Sequence, residues 1–438
     1  MRFGSFSRQI QTGGCFLFTL LITLFGSGCA FQGRTSTLDP KGPIARVQFD
    51  LFMITVWVAL FLFVVVGGAF LYAVWKFRER PGEPEKPIPQ NTHGNPLVEI
   101  GLIAASVFML VIIAVPTVQA IWYTHDLPEH PESRLGVYYE GEHLSEGEEE
   151  NVLTITAEGY QWWWAFDYPQ LGVTTGNEFV IPAGKVVRVE LRSKDVIHSF
   201  WIPKIAGKVD LLPGRANWMW IQAGETFEDW TELTGGGTRA EYEQYLEEEI
   251  HGMYYGQCAE FCGDSHAYML FRAKVVSPEE FNRWIDEQKE PAPAPDGSGD
   301  WGNWMRSAMS DPDALTDPIQ QGAYLYHTKG TCIQCHKIEG SPSSAGVLGP
   351  NLTKVGSRTS LAAGWMDHYN EESDTIDREQ QYDNLVEWIY ASEEIKPGNL
   401  MYYGSNALEN VIHPKDPEVD PLTREEVEKI ATWLQTLK

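Results

Sequence analysis

The run GQCAEFCGDSHAYM, residues 256–269, indicates a metal site in the middle of the chain, because it places two cysteines, a histidine and a methionine within twelve residues. Thiolate, imidazole and thioether groups together favour copper, and a tetrahedral zinc site would leave the methionine unexplained. A site for one copper ion needs only one cysteine. Cys258 and Cys262 can each bridge two copper ions if a second histidine arrives from elsewhere, and His198 is the candidate. The alternative is a disulfide between the two cysteines in an exported domain.

The segments before this run alternate apolar and polar residues, as β-strands do. In VRVELR, residues 187–192, the apolar side chains fall on one face of the strand. Residues 152–157 and 218–222 read similarly, and Pro/Gly turns stand at 182–184 and 213–214. Several short strands at this spacing predict an antiparallel sandwich or barrel.

Two long apolar segments precede the strands. Residues 51–75 contain no charged residue, and residues 100–124 form a segment of the same length. Each exceeds the roughly 20 residues that span a bilayer, and two buried core helices would not need such lengths. Aromatic residues mark their ends, and the connecting loop is basic, through Lys76, Arg78, Arg80 and Lys86. The loop is therefore expected in the cytoplasm, and everything after His125 outside.

The N-terminus has the layout of an export signal: Arg2 and Arg8, an apolar run over residues 15–25, then small residues up to Cys29. A cysteine at this place resembles a bacterial lipoprotein site, in which Cys29 would be the lipidated first residue. The position three before it holds glycine, where such sites usually have leucine.

The last third of the chain begins with a Pro- and Gly-rich stretch and then a haem-attachment motif. EPAPAPDGSG, residues 290–299, is a linker by composition. In CIQCH, Cys332 and Cys335 would bond the haem edge covalently, and His336 would reach the iron. A lone Cys-x-x-Cys is equally a redox or zinc pair, but the following histidine favours haem.

A second axial ligand must come from the other side of the haem. Met401 lies 65 residues after His336 in a Pro/Gly loop that could fold over the ring. Met366 and His368 compete, but they fall in a segment that reads as helix. Ligation by Met401 would raise the haem potential.

Composition sets limits on the whole. The chain has 438 residues and a formal net charge of -27, which excludes a nucleic-acid binder with a basic surface. The acidic excess lies after residue 121. A very acidic stretch between Glu225 and Met253 reads as a solvated helix. The six cysteines stand mostly in close pairs with His and Met neighbours, which indicates cofactors rather than a disulfide framework.

Two apolar helices followed by this β domain resemble subunit II of haem-copper cytochrome c oxidases, across residues 40–288. The resemblance implies a cupredoxin fold with a dinuclear copper centre, CuA. The matching copper ligands are His198, Cys258, the Glu260 backbone carbonyl, Cys262, His266 and Met269. The Glu260 carboxylate matches a ligand of a magnesium ion at the boundary with subunit I. Related quinol oxidases lack the copper ligands, so quinol as direct donor is disfavoured.

Two further stretches resemble the same family. GYQWWW, residues 159–164, is similar to its aromatic run, whose first tryptophan, here Trp162, accepts electrons from cytochrome c. Trp163 and Trp164 are expected in the core or an interface, which is also the alternative for Trp162. HGNPLVEI, residues 93–100, resembles the start of the second helix, where Glu99 would lie at the mouth of a proton pathway in subunit I. The alternative for Glu99 is a carboxylate that stabilises the helix start.

Residues 315–438 resemble small cytochromes c, with GPNL at 349–352 matching the loop below the haem. A subunit II fused to a cytochrome c resembles that of caa3-type oxidases. The expected fold is a multidomain membrane protein with a transmembrane hairpin, an all-β cupredoxin domain and an all-α cytochrome c domain. The expected parts are a signal (1–28), the hairpin (29–125, helices 49–76 and 99–124), the cupredoxin domain (126–289), a linker (290–312) and the cytochrome domain (313–438).

The function implied is electron transfer from an external donor through haem c and CuA to the oxygen-reducing, proton-pumping subunit I. The implied partners are subunits I and III, with cytochrome c or a quinol–cytochrome c reductase complex as donor, at the outer side of a bacterial inner membrane. The alternative is a membrane-anchored copper–haem electron carrier for another reductase, such as nitric oxide reductase. Because both cofactor domains are acidic, we expect repulsion to hold them apart and the linker to let them meet.

Overall fold

The computed structural model describes residues 33–78, 82, 94–126, 152–342, 346–403 and 421–438. The predicted signal, Cys29 and the loop residues Arg80 and Lys86 lie outside these ranges. Helices α1 (Pro43–Phe77) and α2 (Pro96–His125) are long and apolar enough to cross a membrane. Both begin earlier than predicted, because each starts at a proline, which is favoured in the first helical turn. Their apolar side chains are largely exposed, unlike those of core helices.

Among the described residues, ten strands form a β sandwich of two five-stranded sheets, in the orders β3-β2-β1-β5-β8 and β4-β10-β9-β6-β7. The strands are β1 (Leu153–Tyr160), β2 (Trp163–Tyr168), β3 (Val173–Gly176), β4 (Glu178–Pro182), β5 (Val187–Ser193), β6 (His198–Trp201), β7 (Lys208–Leu211), β8 (Asn217–Ile221), β9 (Gly252–Cys258) and β10 (Leu270–Val276). The sheets are mixed, not antiparallel as expected, since β1 pairs with β5 and β4 with β10 in parallel. Long crossovers separate the members of each pair, as parallel pairing requires.

The sandwich core is aromatic. Burial alternates along β1 and β5, so that one face of each strand points between the sheets. Trp164, Phe166, Phe179, Phe200 and Phe271 are at most 1% exposed and their rings contact one another. Burial of each such ring contributes about 1.5–3 kcal/mol. Helix α5 (Pro278–Lys289) closes one end of this core with Phe281 and Ile285.

The acidic stretch between β8 and β9 folds as α3 (Phe227–Thr234), α4 (Arg239–Tyr245) and a π-turn (Leu246–Ile250). Its aromatic side chains pack together, while most of its carboxylates are exposed. Glu225, just before α3, is buried and accepts hydrogen bonds from the Arg46 Nε of α1 at 2.7 Å and the Tyr245 hydroxyl at 2.5 Å. The stretch therefore braces the junction between α1 and the sandwich.

The remaining residues form a second, mainly helical unit. Its helices are α6 (Trp301–Ser310), α7 (Pro318–His327), α8 (Arg378–Tyr390), α9 (Ser392–Ile395), α10 (Leu400–Tyr403) and α11 (Arg424–Leu434). Two ribbons, β11 (Ser360–Leu361) with β12 (Met366–Asp367) and β13 (Tyr369–Asn370) with β14 (Thr375–Ile376), make it less than all-α. The core lies where α7 packs on α11, around Tyr326 and Trp433.

Residues 290–299, whose composition predicts a flexible linker, pack in part against the helical unit, as do the following residues up to 312. Ala292 and Ala294 are buried, and Trp301 Nε1 donates to the Ala292 carbonyl at 2.8 Å. Trp301 and Trp304, one helical turn apart, place one face of α6 in the helical core. The Ala292 amide also donates to the Glu339 carbonyl at 2.9 Å, which holds this stretch on the helical unit before the chain continues into α6.

The two units are docked, contrary to the expected repulsion. Arg272 of β10 donates to the Asp367 carboxylate at 3.0 Å and to the Thr359 carbonyl at 2.9 Å. Lys274 pairs with Asp374 at 2.9 Å. Opposite charges thus meet at the interface although both units are acidic in total, which net charge cannot reveal.

Candidate metal centre and the adjoining cavity

The sulfur and imidazole groups predicted from the sequence converge at one end of the sandwich. His198 begins β6, Cys258 ends β9, and the loop from β9 to β10 carries Cys262, His266 and Met269. The donor atoms are close: Cys258 Sγ lies 3.8 Å from Cys262 Sγ and 3.9 Å from His198 Nδ1, and Cys262 Sγ lies 3.5 Å from His266 Nδ1 and 3.8 Å from Met269 Sδ. Cys258 Sγ also lies 3.2 Å from the Glu260 carbonyl oxygen.

Backbone hydrogen bonds and one carboxylate hold these donors. The Cys258 amide donates to the Met269 carbonyl at 2.9 Å, which ties the loop end to the strand end. Asp195 Oδ1 lies 2.7 Å from His198 Nε2, which leaves Nδ1 directed at the sulfurs. Metal-binding histidines are commonly oriented by such a partner. Sequence reasoning missed Asp195, although a carboxylate three residues before His198 was a usable signal.

The electrostatics favour a thiolate at Cys258. A hydrogen bond from the Cys262 thiol, assisted by His198, lowers the pKa of Cys258, and the same contact raises that of Cys262. Burial opposes protonation of His198, but the Asp195 hydrogen bond raises its pKa overall. Two buried cysteines, two imidazoles and a thioether suit copper as a ligand set. Both sulfurs and both imidazoles could therefore hold copper here.

A cavity of about 210 Å³ lies beside this centre, between the sandwich and the helical unit. Cys332, Cys335, His336 and Met401 all line it, together with apolar side chains of α8 and α11 such as Leu385, Ile389, Ile430 and Leu434. Burial lowers the pKa of His336, so the imidazole stays neutral, as an iron ligand must be. Its Nδ1 lies 2.9 Å from the Pro350 carbonyl, which leaves Nε2 for a ligand.

The cavity fits a flat apolar group held by two thiols. A side chain at Gly349 would begin 2.4 Å from His336 Cε1, so only glycine leaves room for the imidazole there. Met401 lies in α10 and packs on the helical core. The competing His368 is 3% exposed and hydrogen-bonded to Arg358, Gln381 and Asn384. Met366 lies in β12 and not in the helix expected from its sequence.

Trp162 lies between the cavity and the metal centre. Its Nε1 donates to the Cys262 carbonyl at 3.0 Å, and its ring also lines the cavity. A side chain at Gly263 of the metal-binding loop, or at Gly398 of the helical unit, would begin within about 3 Å of this ring. Trp162 is 7% exposed, so the helical unit covers the face on which an external donor was expected.

The other predicted residues lie in different surroundings. Trp164 is fully buried in the sandwich core, whereas Trp163 lines the cavity and stacks on Tyr160. Glu99 lies in the first turn of α2. Tyr123, near the other end of α2, contacts Trp220 of the sandwich, so Glu99 lies roughly 35 Å along the helix from the sandwich. The structure therefore does not bring Glu99 to either site.

Lys396 is a central residue that sequence reasoning passed over. It is 3% exposed, and its Nζ donates to carbonyl oxygens of both units. Burial lowers the pKa of this amine to about 7, and the Cys262 sulfur opposes the shift. Nothing in KPGNLM, residues 396–401, distinguishes this lysine from an exposed one.

Known proteins match both the whole chain and its β domain. The family described as "Cytochrome C oxidase subunit II, periplasmic domain" matches residues 172–235. Proteins named "Cytochrome c oxidase subunit 2" from Alkalihalophilus pseudofirmus and Bacillus subtilis are each 29% identical, over 98% and 88% of this chain and 98% and 90% of their own. The crystal structure of the periplasmic domain of subunit II of cytochrome oxidase from Bradyrhizobium japonicum is 33% identical, covers 31% of this chain and 93% of its own, and has a TM-score of 0.25.

Proposed function

We propose that this chain, which belongs to the cytochrome c oxidase subunit 2 family, is an electron-transfer subunit of a terminal oxidase. In this proposal it passes electrons from a covalently bound haem c to a dinuclear copper centre, CuA. The observation that carries the proposal is the position of Trp162, which touches both the metal-binding loop and the cavity. As a subunit of cytochrome c oxidase the chain is part of an oxidoreductase complex.

In this proposal His198, Cys258, Cys262, His266, Met269 and the Glu260 carbonyl hold the copper pair. Bound copper would accept and release one electron at a time. Asp195 orients His198, and the hydrogen bonds between β9 and the loop keep the donors from moving when the charge changes. The Glu260 carboxylate would bind magnesium at the boundary with subunit I.

Cys332 and Cys335 would hold the haem covalently, and His336 and Met401 would bind its iron. A bound haem c would supply a one-electron carrier beside Trp162. The apolar lining excludes water, which favours the less charged state of such a group. Trp162 spans the gap, because its ring faces the cavity while its indole N–H is bonded to the peptide of Cys262.

The two apolar helices would anchor the chain as a multi-pass protein, with both cofactor units on the outer side of the membrane and subunits I and III beside it. Because Trp162 is covered, an external cytochrome c or a quinol–cytochrome c reductase complex would deliver electrons to the haem, not to copper. Glu99 would then lie at the inner end of α2, where the mouth of a proton pathway is expected. The relatives are oxidase subunits, which favours this function over a carrier for nitric oxide reductase.

The test is purification of the complex with its subunits, followed by paramagnetic and optical spectroscopy. The proposal expects a copper signal from one electron shared by two ions, two copper ions per chain, and the absorption of a c-type haem that stays with the denatured chain. A signal from one isolated copper ion, or a haem that extraction removes, would contradict it.

A further inference from the structure

Lys396 reaches from the helical unit into the copper-binding end of the sandwich. Its Nζ donates to the carbonyls of Trp162 at 2.5 Å, Tyr268 at 2.9 Å and Ala362 at 3.2 Å. An ammonium group has three donors and no acceptor, so these three carbonyls satisfy it completely. Such a group is almost never buried unless it is paired in this way.

The three carbonyls belong to segments whose relative positions set the distance between the two proposed cofactors. The Trp162 carbonyl begins the peptide that leads into Trp163, at the cavity wall. The Tyr268 carbonyl belongs to the peptide that precedes Met269. The Ala362 carbonyl lies in the helical unit, beside Ala363, whose own carbonyl accepts from the Leu270 amide at 3.0 Å.

The neighbours of Lys396 reinforce this contact. The Pro397 carbonyl accepts from Ser265 Oγ of the metal-binding loop at 2.7 Å, and Gly398, at φ 78°, lies against the Trp162 ring. Asn399 Nδ2 donates to the Ser392 and Lys396 carbonyls at 2.8 and 2.6 Å, which fixes the loop from within the helical unit.

We infer that Lys396 is a positioning residue that locks Trp162 and the loop carrying Met269 against the haem cavity, so that electrons pass between the two cofactors in a fixed geometry. This inference rests on the proposed function. The amine of Lys396 is not hydrogen-bonded to any residue proposed to bind copper or haem. It acts through the peptides of Trp162 and Tyr268. The contact also explains how two acidic units remain docked, since buried hydrogen bonds between the units are little affected by salt.

The experiment compares Lys396→Met with the matched control Lys429→Met in the purified complex. Lys429 pairs with Glu425 on α11, at a surface of the helical unit. In Lys396→Met three carbonyls lose their donor, and we expect the rate of haem-to-CuA transfer after flash reduction to fall by roughly tenfold or more. We also expect the remaining rate to become more sensitive to salt than that of the wild type, because exposed ion pairs then contribute a larger share of the interface. The control should transfer at the wild-type rate.

Copper and haem content, with the paramagnetic spectrum, separate the two ideas. If the wild-type complex lacks the copper pair or the covalent haem, the proposed function fails. If it holds both cofactors and Lys396→Met transfers at the wild-type rate without new salt dependence, only the inference about Lys396 is overturned.

A second variant decides the outcome if Lys396→Met does not retain copper. Asn399→Ala removes two of the hydrogen bonds that fix the Lys396 loop but leaves every contact of the amine group with the sandwich in place. It should slow internal transfer less than Lys396→Met does and more than Lys429→Met does. A wild-type rate in this variant would overturn the inference.

Discussion

The metal centre and the cavity are built in opposite ways. The metal donors stand on strand ends and a short loop, at most 5% exposed at His198, Cys258, Cys262 and Met269, and they contact one another directly. The cavity donors lie on the short 3₁₀ turn Cys332–Gln334, on the two residues that follow it and on the four-residue helix α10, and they line the cavity. The sheet thus preforms one site, whereas the other is complete only when a group fills it.

The largest effect is expected when one of the two cysteine sulfurs of the metal centre is removed. Cys262→Ser should abolish binding of the proposed copper pair, because the site then loses one of its two soft thiolate ligands. Met269→Leu should leave copper bound, since a weak thioether ligand is replaced by a side chain of similar volume. Metal analysis and paramagnetic resonance of the two variants check this. Copper retained at two ions per chain in Cys262→Ser would show that the loop is not the site.

The second prediction tests the cavity in the same manner. Replacing Cys332 and Cys335 together by alanine should prevent haem attachment and leave the cavity of about 210 Å³ without its filling group. At roughly 24 cal/mol per Å³ this corresponds to a destabilisation of about 5 kcal/mol for the helical unit. The copper spectrum should remain, because the sandwich has its own core.

Thermal unfolding followed at the helical unit, beside the copper signal, measures this difference. The control is wild-type protein from which only the copper has been removed. Its loss of stability on copper removal should be much smaller than that of the double cysteine variant. Equal losses in the two cases would mean that the cavity is as preformed as the metal centre.

The third prediction concerns Met401. Met401→Ala should remove the weak charge-transfer absorption of sulfur bonded to iron and lower the haem potential, because a soft ligand that favours reduced iron is lost. Met366→Ala is the matched control, since Met366 packs on the same core from β12. If the control changes the spectrum and Met401→Ala does not, the assignment is reversed.

Sequence reasoning succeeded where chemistry and spacing are local. The GQCAEFC…HAYM run and its distant partner His198 predicted a set of donor atoms that the structure brings together, and their role in binding copper stays a prediction. The apolar helices and the strand alternation were also readable, since burial has a period along the chain. The parallel strand pairs were not, because they depend on connections between sheets.

What failed depended on contacts between distant segments. Residues 290–312 were expected to be a linker. Trp301 and Trp304 are nevertheless buried, because they pack in the helical core to which α11, more than 100 residues later, contributes. Lys396 and Glu178 are ordinary charged residues in the sequence. In the structure both join the two units. Lys396 of the helical unit donates to the Trp162 carbonyl of the sandwich, and Glu178 of the sandwich accepts hydrogen bonds from Thr359 and Ser360 of the helical unit. Net charge predicted repulsion because it sums over groups that do not face each other.

The smallest expected effect is that of salt on transfer between the two proposed cofactors. Arg34 pairs with Asp367 and Glu371, and Lys274 pairs with Asp374, all with side chains at least one-third exposed. Such pairs contribute about 0–1 kcal/mol each and are screened beyond a Debye length of about 8 Å at physiological ionic strength. Lys396 and Arg272 are buried, so their contacts should persist.

Raising salt should therefore slow flash-induced transfer from haem to CuA by no more than about fivefold, which corresponds to roughly 1 kcal/mol. Oxidation of an added basic cytochrome should slow far more, because long-range attraction to the acidic surface governs its approach. The two rates are measured across one salt series in the same preparation. A steep fall in the internal rate would mean that the exposed ion pairs, and not the buried contacts around Lys396, hold the helical unit on the sandwich. The metal centre would then be the only preformed element, and the docked geometry would be one state among several.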